Sequence, residues 1–290
     1  MKKIFSFIFI LISCSLLGQK ISLGLSCGYG LGVQRDVLGV NNSQEYRNGQ
    51  AIISSPKDTI KGSLGKGLKI NFNFDYQLNK HFLIGCDVVY SKGVTYSIDT
   101  NVKDHSTNGT NYSDFVISGS HDFKKISQLQ LIPNVKFQLG KEIKPYIKIG
   151  LVVGCFGRLT EEFNSSNTHS YNYSVYNPVI PSLDWYDTIY SNSIHEKIIY
   201  KNGVSCGYTG AIGIDVASSP TLSFVFEVSY VGMSWTPKES EITEYTVNEV
   251  DKLNSSMKVE NRKWAYSSIN TMMGLRYTFG KPVEPKAPVN

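Results

Sequence analysis

Residues 21–33 read ISLGLSCGYGLGV and decide how the chain folds. Every odd position in this stretch is a large apolar residue or a cysteine, and every even position is serine or glycine. Because the side chains of a β-strand point alternately to its two faces, a period of two over this length predicts a strand. One face of that strand is apolar, and the other is small and polar.

The same alternation recurs along the chain, in stretches at 21–33, 68–78, 82–90, 129–139, 147–155, 206–216, 222–230 and 269–279. None of the residues on the apolar faces is charged. The opposite faces carry both signs of charge, and we predict that they form an ion-pair network inside a closed barrel. Its members are Lys69, Asp75, Asp87, Lys136, Lys148, Asp215, Glu227 and Arg276.

Three observations indicate that the apolar faces point outward. Charged residues make up only 18% of the 290 residues, against about 25% in ordinary soluble domains. The glycine-rich opposite faces would also make a poor soluble surface, where about 25–35% charged residues are expected. The interior of an eight-stranded barrel is just wide enough for its own side chains, so these large apolar residues would overfill it. We therefore predict an all-β fold, an eight-stranded antiparallel up-and-down transmembrane β-barrel. A soluble barrel or sandwich with its apolar faces inside is the alternative.

The lengths of the connections predict the orientation of this barrel. Short connections lie at 79–80, 140–144 and 218–221, and long ones at 34–67, 91–128, 157–205 and 231–268. In outer-membrane barrels the short turns face the periplasm and the long loops face outward. We therefore expect a cell outer membrane location of the Gram-negative type, four long extracellular loops and both termini in the periplasm.

Two local predictions follow from the strand assignments. An aromatic girdle is expected at the rim of the short turns. Pro133 interrupts a predicted strand, and because proline cannot donate a ladder hydrogen bond, we expect a bulge there. The girdle residues are Tyr76, Phe82, Tyr146, Tyr277 and Phe279.

Three segments are expected along the chain. Residues 1–18 resemble a signal peptide, with Lys2 and Lys3 before a short apolar run, and cleavage is expected after Gly18. The alternative is lipidation at Cys14, since residues 11–14 (LISC) resemble a lipobox. Residues 19–280 form the barrel, and residues 281–290 form a proline-rich periplasmic tail.

The stretch 129–154, LQLIPNVKFQLGKEIKPYIKIGLVVG, resembles the PorT-like outer-membrane β-barrel family. The resemblance implies a small barrel without a catalytic motif, with some relatives serving protein secretion. It covers the barrel strands, about half of the chain, and departs from the family in the strand cysteines and in the tail. The matching residues are Ile132, Pro133, Lys136, Pro145, Tyr146, Gly150, Glu227 and the closing run 274–279.

Motifs for chemistry are scarce. The glycine run at 28–32 is followed by no helical pattern, so it does not indicate nucleotide binding. The five histidines are not spaced as metal ligands. The pairs His169-Ser170 and His121-Asp122 are the only candidates for lipid-modifying chemistry, but adjacent strand residues point to opposite faces. We predict no catalytic residue, no metal and no cofactor, and at a net charge of +5 nothing indicates a nucleic-acid partner.

The third long connection offers a candidate binding surface, in which aromatic residues stand among asparagine and serine, as in adaptable recognition surfaces. Its residues are Tyr171, Tyr173, Tyr176, Trp185, Tyr186 and Tyr190. The alternative is that these aromatic side chains only pack on one another.

The cysteines Cys27, Cys86, Cys155 and Cys206 all lie on the lipid-facing parity. Thiols that serve as small apolar side chains explain them. A disulfide between Cys155 and Cys206 is the sharper hypothesis, because both are expected at the outer rim in an oxidising compartment.

Taken together, these patterns predict a non-enzymatic outer-membrane barrel that presents long loops for binding or shielding. The expected partners are outer-membrane lipid and an extracellular ligand or secretion-machine subunits, and the expected state is a monomer. An accessory component of a secretion or assembly machine is the alternative function. A small pore would need more strands or an open lumen.

Overall fold

A computed structural model describes residues 20–33, 36–47, 50–54, 58–108, 111–177, 182–252, 257–260 and 262–279. No helix in this part of the chain is long and apolar enough to cross a membrane. The described residues form seventeen β-strands: β1 Ile21–Gly32, β2 Asp36–Arg47, β3 Gln50–Ser54, β4 Asp58–Gly62, β5 Gly67–Gln77, β6 Phe82–Gly93, β7 Tyr96–Asn108, β8 Asn111–Gln138, β9 Ile143–Asn177, β10 Ser182–Lys201, β11 Ser205–Ala217, β12 Leu222–Trp235, β13 Glu239–Val247, β14 Val250–Asp251, β15 Met257–Lys258, β16 Trp264–Ala265 and β17 Ser268–Phe279.

Eight of these strands close into a ring. In order around the ring they are β1, β5, β6, β8, β9, β11, β12 and β17, and each pairs antiparallel with the next. β17 then pairs with β1 from Ile21↔Phe279 to Gly32↔Ser268, which closes the ring. Each of the eight predicted stretches coincides with one of these strands, in the expected order, and the stretches at 21–33, 68–78 and 129–139 end one residue beyond their strands.

The ring exposes its apolar side chains and buries its polar ones. On β5, Leu68, Ile70 and Phe72 are 47%, 43% and 48% exposed, whereas Lys69 and Asn71 between them are 2% and 3% exposed. The other ring strands alternate in the same sense. The predicted assignment of the two faces is therefore confirmed by burial.

Short turns and the chain ends share one rim. The turns at 78–81, 139–142 and 218–221 join β5 to β6, β8 to β9 and β11 to β12. Ile21 lies opposite both Phe279 and Tyr76 at the same rim. The signal segment and the tail lie outside the described residues.

The predicted long loops are corrected by the structure, because much of each is strand. β8 and β9 run for 28 and 35 residues, and they stay paired from the ring out to Ser113↔Tyr171. β7, β10 and β13 extend this surface antiparallel, and β2 joins β7 in parallel. We call the sheet formed by β2, β7, β10, β13 and the distal parts of β8 and β9 the outer sheet.

The bulge predicted at Pro133 is wrong. The register is the same on both sides of it, from Leu131↔Val153 to Asn134↔Gly150. Register shifts fall instead between Lys124 and Ser127 and between Ser127 and Leu129, and Lys125 has φ 54°. An inserted residue bends and twists a strand, so these bulges mark the point where the ring gives way to the outer sheet.

An apolar cluster fills the inside of the ring at that junction. Its side chains come from ring strands, from the outer sheet and from the segments before β5 and β17, and they form one continuous contact cluster. The cluster contains Leu64, Val89, Ile98, Phe123, Ile126, Ile132, Val152, Leu159, Tyr200, Val231, Met233, Trp235, Trp264 and Tyr266. We call it the plug.

Candidate functional site

Charged side chains fill the ring below the plug. Lys136 Nζ lies 2.8 Å from Asp75 Oδ2, and Arg276 Nη2 lies 3.3 Å from the same oxygen. Arg276 also pairs with Asp215. All four side chains are at most 5% exposed, so the chain of charges Lys136–Asp75–Arg276–Asp215 is shielded from water.

A second cluster centres on Lys148. Its Nζ lies 2.8 Å from Asp87 Oδ2 and 2.7 Å from Glu227 Oε1. The Tyr146 hydroxyl donates to Glu227 Oε2 at 2.8 Å. Lys136 and Lys148 are direct cross-strand neighbours, yet each turns to a different carboxylate, which offsets their mutual repulsion.

The prediction that Lys69 belongs to the ion-pair network is wrong, because no carboxylate among the described residues lies within ion-pair distance of it. Its ammonium donates to Ser91 Oγ at 2.8 Å and lies 5.3 Å from the centre of the Tyr266 ring. Lys69 is thus held by a hydroxyl and an aromatic face. The other seven predicted members form the two clusters.

Tyr146 does not belong to the outer girdle. It is 3% exposed, and its ring centre lies 4.4 Å from Lys136 Nζ. Gly213 makes room for it, since a Cβ at that position would lie 2.4 Å from Tyr146 Cζ. Phe82, Tyr277 and Phe279 do point outward, with 44–45% of their surface exposed. Tyr146 lies two residues from Lys148 on β9, so the alternation of the sequence already predicts that both side chains point inward. The sequence could therefore have identified Tyr146 as an interior residue.

Little space remains inside the ring between the charge clusters and the plug. A cavity between the charge clusters and the plug has a volume of about 20 Å³ and is lined by Lys69, Gln130, Thr209 and Asn270, among others. That is room for about one water molecule. The charge clusters and the plug therefore leave only this small cavity between them.

The plug is the feature that sequence reasoning missed. Trp235 and Trp264 are each 1% exposed, and Trp264 packs edge-on against Phe123 and Tyr200 at ring-centre distances of 5.6 and 5.8 Å. Most of its members come from long connections whose alternation is short and broken, and Val89, Ile132 and Val152 come from three different ring strands, so no single stretch predicted it.

The outer sheet carries the predicted recognition surface, and part of that surface is described. Tyr171 and Tyr190 stack with their ring centres 6.0 Å apart and their planes 16° apart. Both rings retain exposed surface, and Tyr190 is 58% exposed. The side chains of Tyr173, Tyr176, Trp185 and Tyr186 lie outside the described residues, although their backbones pair within β9 and β10.

The histidines of the outer sheet pair with residues across strands. His121 Nε2 lies 2.5 Å from Glu161 Oε1, and Tyr200 donates to the other oxygen of Glu161 at 2.7 Å. His169 lies 2.8 Å from Ser113 Oγ. Neither arrangement joins the predicted pairs His121-Asp122 and His169-Ser170. The described residues contain no cluster of three or more potential metal ligands.

Two carboxyl groups of the outer sheet, Glu161 and Glu244, have lowered pKa values. Burial alone would raise the pKa of Glu161, but hydrogen bonds from His121 and Tyr200 outweigh it and lower that pKa. The hydrogen bond from Lys197 is the main cause of the lowered pKa of Glu244. These groups therefore favour the folded outer sheet while they are ionised.

The four described cysteines are free thiols, so the structure does not contain the hypothesised disulfide. Cys206 lies opposite Val153, and Ser205 lies opposite Gly154. Cys155 and Cys206 are therefore diagonal rather than direct neighbours on the outward face.

Comparisons with known proteins give a limited result. No protein-family model matches the chain, and no curated protein matches it. The resemblance to the PorT-like family therefore stays a prediction.

Solved structures do match, at low similarity. One is the Neisserial surface protein A, NspA, with 11% identity and a TM-score of 0.30 over 90% of this chain and 97% of that chain. A second is Ail, the attachment invasion locus protein of Yersinia pestis, in complex with the heparin analogue sucrose octasulfate, with the same values. A third is the CymD monoaromatic hydrocarbon channel, with 10% identity and a TM-score of 0.17 over 92% of this chain and 90% of that chain. Likenesses of this size say nothing about function.

Proposed function

We propose that the chain is an outer-membrane β-barrel protein that neither catalyses a reaction nor conducts solutes, and that it presents the outer sheet to the cell exterior for binding. The observation that carries the proposal is the inverted burial of the ring. Large apolar side chains cover its outside, while lysine, arginine, aspartate and glutamate are buried inside. Only a lipid environment makes that arrangement favourable, because water would oppose so much apolar exposure.

The height of the apolar surface fits a bilayer. On β9 the outward apolar positions run from Ile143 to Cys155. Twelve steps at about 3.3 Å span about 40 Å along the strand, and a tilt of about 40° reduces this to about 30 Å across the membrane. The hydrocarbon core of a bilayer is about 30 Å thick.

The filled lumen supports a protein that is not a pore. The ion pairs occupy the half of the ring near the short turns, and the plug occupies the other half. A solute would have to break both to pass. Binding is then left to surfaces outside the membrane, of which the outer sheet is by far the larger.

The orientation follows from the two rims. We place the rim with the short turns and both described chain ends in the periplasm, and the outer sheet outside the cell. The stacked pair Tyr171 and Tyr190 then faces the medium, where flat aromatic surface is well suited to recognition.

Detergent extraction, gel mobility and protease treatment of whole cells test this proposal together. The protein should appear only in the detergent-soluble membrane fraction, and unboiled samples should migrate faster than boiled ones. Protease added to intact cells should cut the outer sheet and leave a protected ring. A protein that is freely soluble without detergent, or fragments cut at 78–81 or 218–221 in intact cells, would overturn it.

A further inference from the structure

We propose that a row of cations on the outside of the barrel binds the phosphate groups of anionic lipids in the leaflet nearest the outer sheet. The row consists of Lys92 on β6, Arg158 on β9 and Lys201 on β10, with Lys125 beside it at the β8 bulge. We call these four residues the basic row. The inference rests on the proposed function, since it requires the ring to lie in a membrane.

Strand register brings the row together. Lys92 lies opposite Ser127, Ser127 lies opposite Arg158, and Arg158 lies opposite Lys201. Neighbouring strands are about 4.8 Å apart, so Lys92 and Arg158 are separated by about 10 Å at the backbone. Long side chains close that gap easily, and two of these cations can reach one phosphate.

All of these side chains point outward. Lys92 lies opposite Leu68, which is 47% exposed on the apolar face. Lys201 follows Tyr200, which is buried in the plug, so Lys201 points the other way. Lys92, Lys125 and Arg158 are exposed, and Lys201 is partly exposed.

The row lies at the edge of the apolar surface. On β6 the last outward apolar residue is Tyr90, and Lys92 is the next outward position. On β9 the corresponding pair is Cys155 and Arg158, which are separated by the bulge. Lipid phosphates lie at this level, directly above the hydrocarbon, and lysine and arginine extend toward them while their methylene stems stay in apolar contact.

No carboxylate among the described residues forms an ion pair with a cation of the row. Lys124, immediately above it, is paired with Asp122 at 2.9 Å and Glu162 at 2.8 Å, so those two acids are already engaged. Glu239 lies directly opposite Lys201, but its carboxylate accepts a hydrogen bond from Asn202 at 3.2 Å and forms no ion pair with Lys201. Four cations that form no ion pair within the described residues favour an anionic ligand over a zwitterionic one.

Native mass spectrometry of the full chain in detergent micelles tests the inference. The probes are phosphatidylglycerol, phosphatidylcholine and inorganic phosphate, each added alone. The test variant is Lys92→Gln/Arg158→Gln/Lys201→Gln. The control variant is Lys103→Gln/Lys252→Gln/Lys258→Gln, which removes the same charge from exposed positions of the outer sheet and its connections.

The wild type and the control variant should retain phosphatidylglycerol in preference to phosphatidylcholine. In the test variant that preference should fall about tenfold or more, since each cation near a lipid surface strengthens anionic binding severalfold. Retention of inorganic phosphate alone, without a preference for the charged lipid, would identify a free-anion site and overturn the inference. So would an unchanged preference in the test variant.

The gel shift between boiled and unboiled samples is recorded for every variant. A shift with no lipid preference refutes the basic row while leaving the membrane barrel intact. If boiled and unboiled samples of the wild type migrate alike, the proposed function itself is refuted. If the triple variant fails to fold, the single change Arg158→Gln replaces it, with an expected loss of severalfold.

Discussion

Single residues inside the ring are expected to have large effects on stability, and Lys148 is the clearest case. It separates two carboxylates, Asp87 and Glu227, in a space without bulk water. Lys124 on the outer sheet bridges two carboxylates at similar distances, but its side chain is 35% exposed. The two lysines make the same contacts but differ in burial. Comparing them therefore distinguishes the effect of burial on stability from the effect of ion pairing.

We expect Lys148→Met to lower the free energy of unfolding by about 3–5 kcal/mol, because it leaves two buried carboxylates facing each other. Lys124→Met should cost about 0–1 kcal/mol, since water screens the exposed pair. Guanidinium unfolding of the refolded protein in detergent measures both. Equal effects for the two variants would contradict the assignment of a dry, ion-paired lumen.

The inward charges show how far residue-level reasoning from sequence reaches. Alternation alone identified Asp75, Lys136, Lys148 and Arg276 as interior residues, because a period of two fixes the face of every strand residue. It could not identify partners, since pairing depends on strand register and rotamer. Lys69 has the same parity as the others but lies too far toward the plug to reach a carboxylate.

Among the elements, the outer sheet departs most from what sequence predicts. Its strands are long and amphipathic only in part, because one face contacts the plug near the ring and both faces meet solvent further out. Apolar and polar residues alternate only where the two faces of a strand have different surroundings. From the sequence, β8 and β9 therefore appeared to end where the apolar face ends. The alternation of Thr243, Tyr245 and Val247 is visible in the sequence, but the pairing of Tyr245 with Glu196 and of Val247 with Ile194 on β10 is non-local.

Acid should weaken the outer sheet. The lowered pKa of Glu161 means that the folded sheet holds the ionised form more strongly than the unfolded chain does. Its contribution is complete above the unfolded pKa of about 4.3 and is lost as pH falls through the lower folded value. Unfolding followed by tryptophan fluorescence at pH 7, 5 and 3.5 should show the loss between the last two.

The matched variant for this prediction is Glu161→Gln, which should be less stable than the wild type at pH 7 and should depend less on pH below 5. Glu260→Gln, at an exposed position, is the control and should follow the wild type. If the wild type and Glu161→Gln lose stability in parallel as pH falls, the carboxylate bonded to His121 and Tyr200 is not the acid-sensitive group.

At the scale of the whole molecule, the ring is a barrel with apolar side chains outside and polar side chains inside. Its two ends are stabilised in different ways. The short-turn half is held by charge, the other half by the plug, and the outer sheet extends the wall well beyond the apolar surface. Fold class and the direction of each face could be predicted from the sequence, because eight separate stretches repeat one pattern. The plug could not, because it is assembled from four long connections and from ring strands that only the closed ring brings together.

A closed lumen predicts that the protein does not conduct ions. The purified protein reconstituted into planar bilayers should give no discrete conductance steps above the bare membrane, because ion pairs and the plug both block the axis. Trp264→Ala/Trp235→Ala, which empties part of the plug, should remain silent as well, since the charge clusters still fill the turn-side half. Steady steps from the wild type would require an open path through the ring.

The most direct measurement is the environment of a spin label on Cys27, which lies on the outward face of β1, with the other cysteines replaced by alanine. In reconstituted vesicles the label should collide readily with oxygen, which concentrates in lipid, and rarely with a water-soluble nickel chelate. A label at Ser191→Cys on the outer sheet should show the reverse. Frequent nickel collisions at position 27 would show that this face meets water and would contradict the membrane barrel.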